Sequence, residues 1–214
     1  MDYPIGSMLH GEKLAIAQLQ DTLIEIIYNN VQPDAVLYGG TAVWRCYGGG
    51  RFSEDIDIYV SKSFSKKLLP ELGKHNLAVV WRNPELESNM RISDGQTTVL
   101  LEAKTGRPES VIAQYEKVDG TRMTIFTLSP LDLAVRKMEA YSSRRYVRDL
   151  YDLVQLTNFL DKKDYYVRQK FSEFIKSMKE PVDEYILRSL VYKGYGKYTY
   201  REIVDYLKRW LNEV

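Results

Sequence analysis

A single cysteine, Cys46, stands among 214 residues, so the chain can close no intramolecular disulfide and build no cysteine-based zinc site. Such usage fits a reducing compartment. Long apolar runs are lacking too: none approaches the roughly 18 residues a membrane-spanning helix needs, and the N-terminus has no signal-peptide core. A cytoplasmic protein with no membrane partner is expected. Neither sign of charge is in excess, because 30 Lys and Arg face 29 Asp and Glu for a formal net charge of +1. A global basic field for nucleic acid is therefore excluded, and only a local patch can serve that purpose. The two histidines, His10 and His75, fall in terminal and helix-end contexts and suggest no metal site. Internal repeats and low-complexity tracts are absent.

What is present reads as an ordinary globular chain, 44% hydrophobic and 28% charged, long enough to bury a sizeable core. From Glu12 to Asn29, apolar residues such as Leu19, Leu23, Ile26 and Ile27 recur at near-helical spacing. "VQPD" breaks that helix. "AVLYGG" then reads as a short buried strand entering a turn, with "TAVWRCY" a short helix after the glycines. "DIDIYV" alternates acid and apolar residues, the period of a strand with one wet face. A helix over "KSFSKKLLPELGKH" and strands over "LAVVWRN", "SNMRIS", "TTVLLEAKT" and "MTIFTLS" follow. Past Ser129-Pro130, an N-cap with proline at the first helical position, the chain reads as helical to its end. The expected organisation is an α+β lobe over residues 1–129 and a helical lobe over 130–214, the two contributing to one active site.

The chemistry concentrates in "LYGGTAVWRCYGGGRFSEDIDIYV". On a strand, Asp55 and Asp57 point to one face while Ile56 packs behind them. Two like charges held so close call for a cation or a raised pKa, and hard oxygen ligands with open positions suit Mg²⁺ alongside substrate phosphates. Upstream, "YGGT" after a strand leaves backbone N–H groups able to approach a phosphate, with the Thr41 hydroxyl as an extra donor. A Walker A loop is excluded, since no Gly-Lys-Ser/Thr follows the glycines. A glycine pair alone is a common turn, and Asp-x-Asp alone is commonly a solvated strand. Together, in this order, they point to a nucleoside triphosphate site.

"GGTAVWRCYGGGRFSEDIDI" resembles the first motif of the polymerase β-like nucleotidyltransferase superfamily. Its "GGTA…RFSEDIDI" form is similar to the AbiEii-type nucleotidyltransferase toxins of type IV toxin–antitoxin and phage-defence systems. The resemblance implies a mixed sheet in an α+β nucleotidyltransferase lobe. It also implies Gly39, Gly40 and Thr41 at the triphosphate, Asp55 and Asp57 on Mg²⁺ (or Mn²⁺), and an NTP as substrate. Counted from Gly39-Gly40, fourteen residues precede Asp55, longer than the usual gap; counted from Gly40-Thr41 the spacing fits. The extra length lies in "YGGGR", where glycines permit a tight reversal that brings Arg51 and Ser53 towards the triphosphate. A third carboxylate is expected by analogy on a later strand, with Glu102 the candidate metal ligand; a solvated strand-end Glu is the alternative.

"SPLDLAVRKMEAYSSRRYVRDLYDL" carries Lys137, Arg144, Arg145, Arg148, Asp149 and Asp152. A solvated, salt-bridged helix explains such a segment without any function. The pattern is nevertheless similar to the second AbiEii-family signature, which implies that Lys137 and Asp152 are needed for activity. Lys137 would neutralise charge on the transferring phosphorus or leaving group; Asp152 would orient it or act as a base towards the acceptor hydroxyl. Arg148, four residues before Asp152 and on its helix face, is a further nucleotide-binding candidate. The resemblance implies transfer of NMP to an acceptor hydroxyl, an RNA such as the 3′ end of tRNA or a protein, and a cognate antitoxin. A non-catalytic nucleotide-binding module and a small-molecule nucleotidyltransferase of the antibiotic-modifying type are the other readings of the same residues.

Overall fold

A computed structural model describes residues 4–82, 89–193 and 199–212 of the protein. The chain divides into two compact units, Met1–Cys46 with Phe52–Leu128 and Tyr47–Arg51 with Ser129–Val214. Among the described residues no helix is long and apolar enough to cross a membrane.

The first unit is α+β. Helix α1 (Gly11–Ile26) buries Ile16, Leu19, Leu23, Ile24 and Ile26, and its apolar stripe continues through one wider turn over Ile27–Val31 before Pro33. Strand β1 (Val36–Tyr38) then runs straight into α2 (Gly39–Cys46), so the two glycines form the first turn of that helix rather than a loop before it. Gly39 makes this possible, because its φ of +75° is a conformation side chains rarely adopt. Strand β2 (Ile56–Val60), helix α3 (Phe64–Lys74), and strands β3 (Ala78–Arg82), β4 (Met90–Ser93), β5 (Thr98–Thr105), β6 (Val111–Glu116) and β7 (Arg122–Thr127) follow.

The sheet is mixed, in the order β3-β4-β5-β2-β1-β7-β6. β2 lies between β1, which is antiparallel to it, and β5, which is parallel to it. β2 thereby carries its acids to the centre of the sheet. Ile56, Ile58 and Val60 are buried while Asp57 and Tyr59 are partly exposed, the alternation expected of one wet face. β6 is an element that alternation does not reveal: Val111-Ile112-Ala113 is an unbroken apolar run, and on this edge strand Val111 and Ile112 remain exposed.

A buried polar knot ties α1, α2 and β6. The Arg45 guanidinium donates to Asp21 Oδ1 (3.0 Å), the Ala17 carbonyl (3.1 Å) and the Glu116 carbonyl (3.2 Å). Asp21 also accepts from Tyr115 Oη (3.0 Å) and the Val118 N–H (2.7 Å). Burial pushes the Asp21 carboxyl above its ordinary range, with the Arg45 charge pulling the other way.

The second unit is helical. Helix α4 (Pro130–Arg144) starts as its sequence indicates, with Ser129 Oγ accepting from the Asp132 N–H (3.1 Å). It ends at Arg145, in left-handed conformation with φ of +54°, and turns directly into α5 (Val147–Leu156). α5 is buried along nearly its whole length, and α6 (Tyr165–Ser177), the short α7 (Leu187–Leu190) and α8 (Tyr200–Asn212) complete the unit. Tyr47–Arg51 belongs here because the Gly50 carbonyl accepts from the N–H groups of Tyr192 (3.0 Å) and Lys193 (3.1 Å). A Cβ on Gly50 would collide with the Lys193 carbonyl, so the close backbone approach requires glycine there.

Replacing Asp21 by Ala leaves the Arg45 guanidinium buried and unpaired, which costs about 3–5 kcal/mol. Chemical denaturation measures this directly; a loss below about 1 kcal/mol contradicts the role assigned to the knot.

Candidate active site

On the sheet, the site forms where β1 ends and β2 begins. Antiparallel pairing sets Tyr38 opposite Asp57, so Gly39, the next residue, lies beside the Asp57 side chain. The approach is so close that a Cβ on Gly39 would overlap the Asp57 carboxylate, with its Cγ only 2.8 Å away. The carboxylate therefore rests against the N-terminal turn of α2, where the first N–H groups of a helix have no partner within it and favour negative charge. Asp55 immediately precedes β2, and its carbonyl is held by Thr41 Oγ1 at 2.5 Å. On the other side of β2, Glu102 of β5 is the parallel register partner of Asp57. Register partners on neighbouring strands share a face and lie about 5 Å apart. The fold thus brings Gly39, Gly40 and Thr41 of α2, Asp55 just before β2, Asp57 of β2 and Glu102 of β5 into one region of the sheet.

These residues fit a hard divalent cation. The donors are all carboxylate oxygens; among the described residues no three His, Cys, Asp or Glu are placed to hold a metal ion by themselves, so substrate oxygens or water would have to complete any coordination. Carboxylate oxygens suit Mg²⁺, which takes one or two of them and fills its remaining positions from phosphates and water. At the opposite end of α2, burial pushes the Cys46 thiol up to about 12.

Thr41 requires a correction. Its hydroxyl, expected to donate to phosphate, is fully buried and donates to the Asp55 carbonyl. Its position in the first turn of α2 directs the side chain inward, where it fixes the Asp55 backbone.

Within the helical unit a second set of charges is linked in one chain. Arg51 grips Asp152 with two bonds, Nε to Oδ1 and Nη2 to Oδ2, each 2.6 Å. Lys137 Nζ lies 2.6 Å from Asp152 Oδ2 and 3.3 Å from Asp149 Oδ1. Arg144 holds Asp149 in turn, from Nε to Oδ2 and from Nη2 to Oδ1, both 2.9 Å. Lys137 on α4 is thus clamped between two buried carboxylates of α5, each braced by an arginine fork. Three cations meet two anions, leaving one positive charge in excess. Burial alone would raise Asp152, but Arg51 and Lys137 outweigh it and hold the carboxyl below its ordinary range. A carboxylate saturated with donors in this way orients Lys137 and is unsuited to take a proton.

Arg51 also departs from expectation. The reversal in "YGGGR" does not present it to a phosphate; the side chain is buried against Asp152. Arg148 does not use its four-residue spacing to reach Asp152, which Arg51 and Lys137 occupy; its guanidinium lies over the Tyr146 ring at 5.4 Å. Ser53 is half-buried, and its carbonyl accepts from Gln20 Nε2 at 2.9 Å. Asp149 and Arg144 are the residues that sequence reasoning left out of the site. A signal was available in the Asp149-x-x-Asp152 spacing, which puts both carboxylates on one face of α5.

A mixed sheet with a glycine-led helix against a central Asp-x-Asp strand defines the nucleotidyltransferase fold, and the comparisons agree. The family model of the AbiEii nucleotidyl transferase toxin of type IV toxin–antitoxin systems matches residues 23–191. The chain belongs to that family and is a nucleotidyltransferase. It is similar to MenT4, a nucleotidyltransferase toxin from Mycobacterium tuberculosis H37Rv, at 16% identity and a TM-score of 0.59, over 95% of this chain and 85% of that one. It is likewise similar to JHP933 from Helicobacter pylori, at 16% identity and a TM-score of 0.61, over 96% of this chain and 94% of that one. Comparison with curated proteins gives no significant match.

The depressed Asp152 carboxyl carries a linkage. Its folded value lies below its unfolded one, so it contributes stability that is present above the ordinary value of 3.8 and is lost as pH falls through the folded value. Unfolding free energies of the parent and Asp152→Asn, measured from pH 7 to pH 2, should therefore converge as the solution is acidified. A gap of constant size across that range contradicts the assignment.

Proposed function

We propose that this chain transfers a nucleoside monophosphate from an NTP to an acceptor hydroxyl and releases pyrophosphate, as the toxin half of a toxin–antitoxin pair. One observation carries the reading: the Asp57 carboxylate sits against side-chain-free Gly39 at the start of α2, with Glu102 in register beside it. Backbone N–H groups and carboxylates then converge where a triphosphate and its counter-ion are needed.

In this reading the N–H groups of Gly40 and Thr41 receive the triphosphate, and Asp55, Asp57 and Glu102 hold Mg²⁺ or Mn²⁺. Such an ion, when bound, neutralises phosphate charge and polarises the reacting oxygens. Thr41 keeps the Asp55 backbone in place. Lys137, held between Asp149 and Asp152, offsets the negative charge that develops on the leaving pyrophosphate. Asp152 orients Lys137 rather than serving as the base. The acceptor is a hydroxyl of RNA, the 3′ end of tRNA among the candidates, or of a protein, and a cognate antitoxin restrains the activity.

Incubation with each labelled NTP, Mg²⁺ and total cell RNA or protein should transfer label from at least one nucleotide. Asp57→Ala and Lys137→Ala should each lower that transfer by roughly a hundredfold or more, the scale of losing a preorganised charge at the reacting centre. Full labelling by either folded variant rejects the assignment of that residue. Metal-independent NTP binding with no transfer in any condition leaves a nucleotide-binding module instead.

A further inference from the structure

Strand β6 ends the sheet, and half of its backbone groups face outward. The Lys117 N–H bonds to the Thr121 carbonyl (2.9 Å) across the β6–β7 hairpin. By the two-residue period, Lys117, Tyr115, Ala113 and Val111 turn their backbone groups towards β7. Glu116, Gln114 and Ile112 turn theirs away from the sheet. The protein caps one end of this outer side itself. The Arg45 guanidinium donates to the Glu116 carbonyl (3.2 Å), the Val118 N–H donates to Asp21 (2.7 Å), and the Gly6 N–H donates to the Val118 carbonyl (2.9 Å). The capping stops there. Among the described residues, nothing bonds to the outward N–H and C=O groups of Ile112 and Gln114, and the Gln114 side chain turns back to Thr124 of β7 (3.0 Å).

An open edge of this kind templates another strand, and proteins blunt an unused edge with charge, proline or a bulge. Val111–Gln114 has none of these: it is uncharged, its ladder with β7 is unbroken, and Ile112 is 67% exposed. The strand that fits is β6 itself. When a second copy lies antiparallel with Ala113 opposite Ala113 of the partner subunit, Ile112 faces the partner's Gln114 and Gln114 faces the partner's Ile112. Four N–H···O=C bonds then satisfy every open group of these residues on both edges. The same register sets the exposed Glu109 level with the partner's Lys117, because each lies four residues from Ala113. Glu109 there joins Glu25, which already holds the Lys117 ammonium at 2.8 Å. The neighbouring registers fail. With Ile112 on the axis, Lys117 is level with the partner's Arg107, and like charges oppose. With Gln114 on the axis, Ile112 meets the partner's Glu116, whose carbonyl Arg45 occupies.

We propose that β6 is a homodimer interface, pairing antiparallel with β6 of a second copy about Ala113 to make one continuous sheet. The occupant is a second copy because the edge complements itself in both hydrogen bonding and charge, as a two-fold interface requires. The inference is independent of the nucleotidyltransferase reading.

Sedimentation of the full chain over a concentration series should show a reversible monomer–dimer equilibrium, and the Ile112 and Gln114 amides should exchange hydrogen more slowly as concentration rises. Ile112→Lys, at an exposed position, should weaken dimerisation roughly tenfold, the scale of one lost interface anchor. Glu109→Lys, which opposes two cations, should weaken it as well. With Cys46 replaced by Ser, Ala113→Cys should be trapped as a disulfide-linked dimer under mild oxidation, because residues opposed at a non-bonded antiparallel position stand about 4.5 Å apart at Cα. Gln114→Cys should not be trapped. A parent that is monomeric at every concentration overturns the proposal, and so does an equally tight dimer of Ile112→Lys. Equal trapping of the two cysteine variants overturns the register on which the assignment rests. Protection of the Ile112 and Gln114 amides only when a different protein is added gives the edge to that partner and overturns pairing with a second copy.

Discussion

No side chain fits between the first residue of α2 and the carboxylate of Asp57, and the site on the sheet depends on that restriction. Gly39 satisfies two demands at once: it adopts a positive φ, and it leaves the volume that Asp57 occupies. Because Gly39 directly follows β1 and Asp57 pairs with the last residue of β1, sheet register and helix start are set together. The Thr41 bond to the Asp55 carbonyl then joins the same helical turn to the residue that leads into β2. Glu102 enters through the other neighbour of β2, so its place follows from strand pairing alone.

The buried charges of the helical unit follow a different logic. Arg51, Lys137, Asp149 and Asp152 are all buried, and Arg144 closes the chain from a more exposed position. Taking such charges out of water is expensive, and apolar residues of similar size often stabilise a fold as well or better. A lysine held between two carboxylates, each of them bound by an arginine, is fixed in orientation. Membership of the AbiEii family gives that arrangement its context.

Local signals carried much of the fold. The acid–apolar alternation of "DIDIYV" marked β2, Ser129-Pro130 marked the start of α4, and the spacing of Leu19, Leu23 and Ile26 marked α1. β6 escaped because an edge strand with both faces partly wet has no clean period, and Val111-Ile112-Ala113 shows none. At the site, the presence of the acids and glycines was legible, but the direction of individual side chains was not. Thr41 turns inward and Arg51 reaches Asp152, a partner 101 residues away, and neither follows from neighbouring residues. Asp149 was missed for a related reason, since a helical charge reads as solvated until its burial is known.

The central claim is that Asp55, Asp57 and Glu102 hold a divalent ion that the nucleotide shares across the Gly39 turn. Mn²⁺ binding followed by electron paramagnetic resonance, with and without a non-hydrolysable NTP analogue, addresses it most directly. The protein should bind Mn²⁺ more tightly with the analogue present, and Gly39→Ala, which displaces the Asp57 carboxylate, should lose that enhancement while remaining folded. Equal Mn²⁺ binding by the parent and Gly39→Ala, with the same response to the analogue, would contradict the claim.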